Sequence, residues 1–132
     1  MHILTLGLNH KTAPVEVREK LAFLETAQQS ALEQLVQRYG LREAAILSTC
    51  NRSEIYMAGE TTATVQGAQR FLAEVQGVDV QALQPHFYEL SDGDVARHLF
   101  SVACGIDSLV IGESQILKQV REALELAQAS GA

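Results

Sequence analysis

The first feature of this chain that could do chemistry is a cysteine set among polar residues, Thr49-Cys50-Asn51-Arg52. The thiolate is the nucleophilic form of cysteine, and a nearby cation favours it. Arg52 can supply that cation. The plainer reading is a small buried hydrophobe, the common fate of a free cysteine. Polar company at a turn weighs toward the nucleophile, because structural cysteines usually have apolar neighbours. Cys104 is the contrast: it follows Val102 and Ala103 and is read as packing. His98 shares the edge of an apolar helical face with Val95, Leu99 and Val102. Alone there, it is a core or boundary residue. If the fold brings it to Cys50, the two make the thiol and imidazole pair of covalent catalysis. His10 is a lesser candidate in the first loop, and His2 and His86 read as structural.

A second unusual stretch runs from Gly105 to Leu117, where two glycines bracket an apolar run and Glu113-Ser114-Gln115 opens a helix. Backbone N–H groups at a helix start can hold an anion. The alternative is an ordinary connection, with Glu113 near the N-terminus for reasons of dipole. Other signatures are missing from the sequence. The nine glycines never form Gly-x-Gly, so there is no dinucleotide fingerprint. There is no phosphate-loop motif, no His-Glu-x-x-His and no Cys-x-x-Cys, and two cysteines alone make no zinc ligand set. We therefore expect no metal.

The elements that must position these residues can be read from periodicity and punctuation. Residues 2–8 predict a buried strand, and Asn9 to Pro14 a polar loop. Pro14 suits the first turn of a short helix reaching about Leu21. A helix follows over 26–39, with Thr26 and Gln29 as a capping box and Gly40 as its stop. Strands at 44–47 and 53–58 enclose the polar turn that carries Cys50. A second long helix spans 64–76, with Gly77 after it, and a fourth strand spans 86–90. Two more helices are expected, over 92–104 with Ser91 as cap and Gly105 as stop, and over 114–130. The order is strand, helix, strand, strand, helix, strand. This predicts an α+β fold, a ferredoxin-like βαββαβ antiparallel sheet with helices on one face plus extra C-terminal helices.

Composition limits the function classes. The chain has 132 residues, 47% of them hydrophobic and 20% charged, which suits one globular domain with a real core. No apolar run approaches the ~20 residues of a membrane span. The first residues lack a basic segment followed by an apolar one, so no secretory signal is read and a reducing, cytoplasmic setting is expected. The net charge is −6, and all of it lies in residues 57–132. An acidic surface is a poor binder of phosphate, so any RNA contact should fall in the neutral first half. RNA-recognition modules on this fold use aromatic stacking platforms. The chain has no Trp, and Tyr56 alone is no platform.

Three segments together resemble the N-terminal domain of glutamyl-tRNA reductase. They are Leu6-Gly7-Leu8-Asn9-His10-Lys11-Thr12-Ala13-Pro14, the block from Leu47 to Tyr56 containing Ser-Thr-Cys-Asn-Arg, and Gly105 to Leu117. The resemblance covers essentially the whole chain, and the cysteine block is highly specific to that family. It implies reduction of glutamyl-tRNA to glutamate-1-semialdehyde, the first committed step of tetrapyrrole synthesis by the five-carbon route. Cys50 would attack the aminoacyl ester to form a thioester, and NADPH would supply hydride. Arg52 would pair with the substrate's side-chain carboxylate, a role that suits a bidentate guanidinium. Thr49, Asn51, Ser108, Glu113, Ser114, Gln115 and Gln119 would line the glutamate pocket, and His98 would assist the chemistry. Ser114 departs from the Pro or Thr often found in the family, and Ser53 stands where Thr is frequent.

Enzymes of that family continue into an NADPH-binding domain and a helical domain that makes a homodimer. Residues 1–132 are accordingly read as the catalytic domain alone, expected to act at most as an esterase. A downstream aminomutase is a possible partner in the family, and a membrane is not. Two other classes compete with this reading. One is a small-ligand regulatory module on a ferredoxin-like sheet, which needs no reactive thiol. The other is an RNA-binding module, which the acidic balance and scarce aromatics oppose.

Overall fold

The computed structural model describes residues 1–23, 25–39, 41–105 and 115–132. Its elements run in the order β1 (His2–Asn9), α1 (Val15–Leu21), α2 (Glu25–Tyr39), β2 (Glu43–Ser48), β3 (Arg52–Gly59) and α3 (Thr61–Gln76). Then come α4 (Val80–Leu83), a 3₁₀ turn at Gln84–His86, β4 (Tyr88–Ser91), α5 (Gly93–Ala103) and α6 (Gln115–Ala129). The four strands form one sheet in the order β2-β3-β1-β4, and every neighbouring pair is antiparallel. This is the predicted α+β arrangement.

The pleat sorts the side chains onto two faces. On one face Leu4, Leu6, Ile46, Ile55 and Met57 are buried against Leu32 and Leu35 of α2 and Val65, Ala68, Phe71 and Leu72 of α3. Leu8, Ala13 and Leu21 extend that layer at the end of β1 with Ala73 and Leu83. Burying each large apolar side chain contributes about 1.5–3 kcal/mol. The other face is chemically different. Register places Gly7 opposite Glu54 and Tyr88, Thr5 opposite Tyr56, and Asn9 opposite Arg52. There Leu47 packs with Val102 of α5 and Ile116 of α6. The extra C-terminal helices thus do not all join the first layer. α6 lies along β2, where Ala44 N–H donates to the Ala132 carbonyl at 3.3 Å and covers the sheet edge.

Local chemistry accounts for several element ends. α3 stops at Gly77, which takes φ 66° and donates to the Ala73 and Glu74 carbonyls. Val78 N–H then bonds the Ala73 carbonyl at 2.9 Å, closing a Schellman-type cap. Gly105, the expected stop of α5, has φ 77°. The Thr26 side chain of the predicted capping box and the Gly40 stop lie outside the described residues.

Three expectations change. The fourth strand starts at Tyr88 because Pro85 sits in the first turn of the 3₁₀ segment, where its missing N–H costs nothing. Sequence reading passed over α4, which Asp79 caps by accepting from Gln81 N–H at 3.0 Å. Ser91 is the last residue of β4, and the cap of α5 is Asp92 at φ 51°. The Asp92 carboxylate makes no cap bond. It accepts instead from Ile3 N–H at 3.2 Å and contacts His2 Nδ1 at 2.9 Å, tying the start of α5 back to β1.

Candidate active site

The β2–β3 hairpin turns through Thr49, Cys50 and Asn51. Thr49 N–H donates to the Arg52 carbonyl at 2.8 Å. The Thr49 hydroxyl oxygen accepts from the N–H groups of Asn51 at 3.1 Å and Arg52 at 3.2 Å. A threonine that satisfies two loop donors builds a tight turn. Cys50 is left exposed at its apex. The turn is anchored from below, since Ser53 Oγ donates to the Leu21 carbonyl at 3.2 Å and Phe23 N–H donates to Ser48 Oγ at 2.9 Å.

α6 meets this turn because Ile116 packs on Leu47 and Val102. A cavity of about 80 Å³ lies between them, lined by Thr49, Cys50, Asn51, Arg52, Gln115, Ile116 and Gln119. The fold thereby brings together six of the predicted site residues from two segments far apart in sequence. Ser108, Glu113 and Ser114 lie outside the described residues. A larger cavity of about 440 Å³ runs along β4 and α3 and is lined by His2, Gln69 and Glu89 among others. It contains none of the predicted site residues.

Below the turn, Arg52, Glu54 and Tyr56 alternate onto one face of β3. Arg52 is 1% exposed, and its Nη1 lies 3.7 Å from Glu54 Oε1. The Glu54 carboxylate is fully buried. It accepts from the Tyr56 hydroxyl at 3.0 Å, from the Tyr88 hydroxyl and from His98 Nε2. Burial pushes the Glu54 carboxyl up. The hydrogen bond and charge of His98, the Tyr88 hydroxyl and the Arg52 charge more than offset this, so its pKa falls below the ordinary carboxylate value. Burial and the adjacent Glu54 charge push the Tyr88 phenol well up, so it remains a donor.

His98 does not line the Cys50 cavity, and its link to that cavity runs through Glu54 to Arg52. Its described hydrogen bond goes to that carboxylate, and the ring also lies 5.5 Å from the Tyr88 ring. Glu54, Tyr88 and Gly7 were not singled out as site residues from the sequence. One signal could have found the first: alternate positions of a strand beginning at Arg52 share a face. Cys104 corrects the sequence reading, because it is exposed. Val102, two residues earlier, is the side chain that α5 buries there, and Cys104 follows the last helical residue.

The opening motif also gains a structural account. Asn9 Oδ1 accepts from Lys11 N–H at 2.9 Å and Thr12 N–H at 3.3 Å, which folds the chain back after β1. His86 Nδ1 lies 3.1 Å from the Thr12 carbonyl, consistent with its structural reading. Among the described residues, no group of three or more His, Cys, Asp or Glu side chains could hold a metal ion. No described helix is long and apolar enough to cross a membrane.

Comparisons with known proteins agree with this architecture. The family model for the glutamyl-tRNA(Glu) reductase N-terminal domain matches residues 6–132. A glutamyl-tRNA reductase from Shouchella clausii is 47% identical over 129 residues, 97% of this chain and 28% of the relative. Another from Syntrophotalea carbinolica is 46% identical over 131 residues, 98% of this chain and 30% of the relative. The solved glutamyl-tRNA reductase of Methanopyrus kandleri superposes with a TM-score of 0.75 at 30% identity, covering 98% of this chain and 29% of that one. The chain thus spans just under a third of the length of these relatives. With a family match over nearly its whole length, it belongs to the glutamyl-tRNA reductase N-terminal domain family.

Proposed function

We propose that residues 1–132 are the catalytic domain of an enzyme that converts glutamyl-tRNA to glutamate-1-semialdehyde at the start of tetrapyrrole synthesis. The observation that supports this most is the exposed Cys50 at a hydrogen-bonded turn, sharing a cavity with Arg52, Gln115 and Gln119. In this reading the Cys50 Sγ attacks the ester carbonyl carbon. The new C–S bond replaces the C–O bond to the terminal ribose, whose oxygen leaves and takes up a proton. Glutamate stays on the protein as a thioester. Arg52 pairs with its side-chain carboxylate, and Thr49, Asn51, Gln115 and Gln119 surround it. Ser108, Glu113 and Ser114 belong to the same proposed pocket.

NADPH supplies the hydride in the reaction of the whole enzyme. The described residues do not fit that cofactor. All four strands are antiparallel, so there is no parallel-strand crevice, and no Gly-x-Gly turn follows a strand. We therefore assign this chain the acyl-transfer half of the reaction. The cytoplasmic setting, a homodimer formed through a C-terminal domain and hand-over to an aminomutase belong to the same proposal.

Intact mass after mixing the chain with glutamyl-tRNA tests the reading. The expected result is a hydroxylamine-labile glutamyl adduct on the wild type and on Cys104→Ser, absent from Cys50→Ser. Slow release of free glutamate should accompany it, with no semialdehyde when NADPH is added. Absence of any adduct, together with an unchanged ester lifetime on the tRNA, would favour the regulatory-module alternative. Formation of semialdehyde would overturn the restriction to acyl transfer.

A further inference from the structure

The buried cluster beneath the hairpin is more elaborate than a packing contact requires. Four side chains from two strands and a helix converge on one carboxylate: Arg52 and Tyr56 from β3, Tyr88 from β4 and His98 from α5. A buried charge is costly unless paired and hydrogen-bonded, and this one is both. Gly7 makes room for it. A Cβ at that position would lie 2.8 Å from Glu54 Cγ and 3.0 Å from the Tyr88 ring. The opening motif is thus shaped, at Gly7, around an acid that belongs to the cysteine block.

An ionised carboxylate only accepts hydrogen bonds. Its partner nitrogen on His98, Nε2, must then carry a proton, which leaves Nδ1 as the acceptor whenever the ring is neutral. We propose that Glu54 is the positioning residue of this site, fixing the tautomer and orientation of His98 while bracing Arg52 beneath the Cys50 turn. The inference rests on the Cys50 acylation reading and extends it. The logic is that of a carboxylate orienting a histidine in hydrolytic triads, where removing the charge leaves the geometry but misassigns the proton. The neighbouring tyrosines keep the carboxylate in place. His98 is a half-buried side chain at the edge of this cluster, 16% exposed, and so is not sealed from solvent.

Two measurements on the chain test the proposal. Long-range ¹⁵N–¹H spectra report which ring nitrogen of His98 is protonated. The wild type should show the Nε2–H form alone, and Glu54→Gln should lose that preference while remaining folded. A wild-type ring protonated at Nδ1 instead, or a spectrum unchanged by Glu54→Gln, would overturn the proposal. The second measurement is the rate of Cys50 adduct formation from glutamyl-tRNA. Glu54→Gln should slow it about 10²-fold, the lower range for a positioned acid–base group. In a His98→Asn background the same change should cost almost nothing more, because the two act as one unit. Fold-losses that multiply would show that Glu54 does not act through His98.

Should Glu54→Gln fail to fold, Glu54→Asp retains the charge and withdraws it by one methylene. It must then show the same rate loss and the same non-additivity with His98→Asn. An adduct that forms equally fast in wild type and Glu54 variants overturns this inference alone. The absence of any adduct in the wild type overturns the acylation reading on which it rests.

Discussion

At the scale of single residues, this domain concentrates its unusual chemistry on one sheet face. Glu54 is the clearest instance, and it makes stability depend on pH. Its carboxyl is held below the ordinary value of 4.5 in the folded chain. The native state therefore releases that proton more readily than the unfolded state does. Its contribution to stability is fully present above about pH 4.5 and is lost as the pH falls through the lower folded value. Urea denaturation of the wild type should show a midpoint that falls as the pH is taken below about 4.5. Glu54→Gln should be less stable at neutral pH and should lose less over that range. An equal acid loss in both would show that Glu54 is not a source of the dependence.

At the scale of elements, position is set by caps and by short apolar contacts. α3 ends because Gly77 adopts φ 66°, a conformation that disfavours a side chain, although open space surrounds it. Gly77→Ala should cost about 1 kcal/mol, measured as a shift in the urea midpoint with unchanged slope. No effect would mean that the chain can end this helix another way. α5 and α6 matter more directly to the site. The first carries His98, and the second carries Gln115 and Gln119. Both are seated through Val102, Ile116 and Leu47, the residue two before Thr49. The reach of α6 to the cysteine turn is thus a consequence of apolar packing on β2.

At the scale of the whole molecule, the two faces of the sheet divide the work. One carries the larger apolar core, in which Phe71 is 1% exposed and packs edge-on to Tyr39 at 5.6 Å. The other carries the buried acid and the cysteine turn. Phe71→Ala should remove about 3–5 kcal/mol of stability. Below its unfolding transition, the variant should form the Cys50 adduct at the wild-type rate, because Phe71 contributes nothing to the second face. A large rate loss in the still-folded variant would show that the two faces are coupled.

How much of this was legible beforehand follows from the range of each interaction. Strands, helices and the hairpin turn follow from local periodicity, glycine punctuation and polar turn residues, which act over a few positions. Cys50 stood out for the same reason, and three motifs were enough to point to the family. Ser91 as a cap and Cys104 as packing were misread because their outcomes depend on distant partners: Asp92 is drawn to Ile3 and His2, and Val102 fills the contact available to the end of α5. The Glu54 cluster is the extreme case. Its members are Gly7, Arg52, Glu54, Tyr56, Tyr88 and His98, and sheet pairing with the docking of α5 brings them together. By itself, the sequence determined the elements other than α4, the turn that displays Cys50 and the family. Only the tertiary structure decided that a buried carboxylate joins the arginine to the histidine, because that arrangement depends on strand register across β1, β3 and β4 and not on any local pattern.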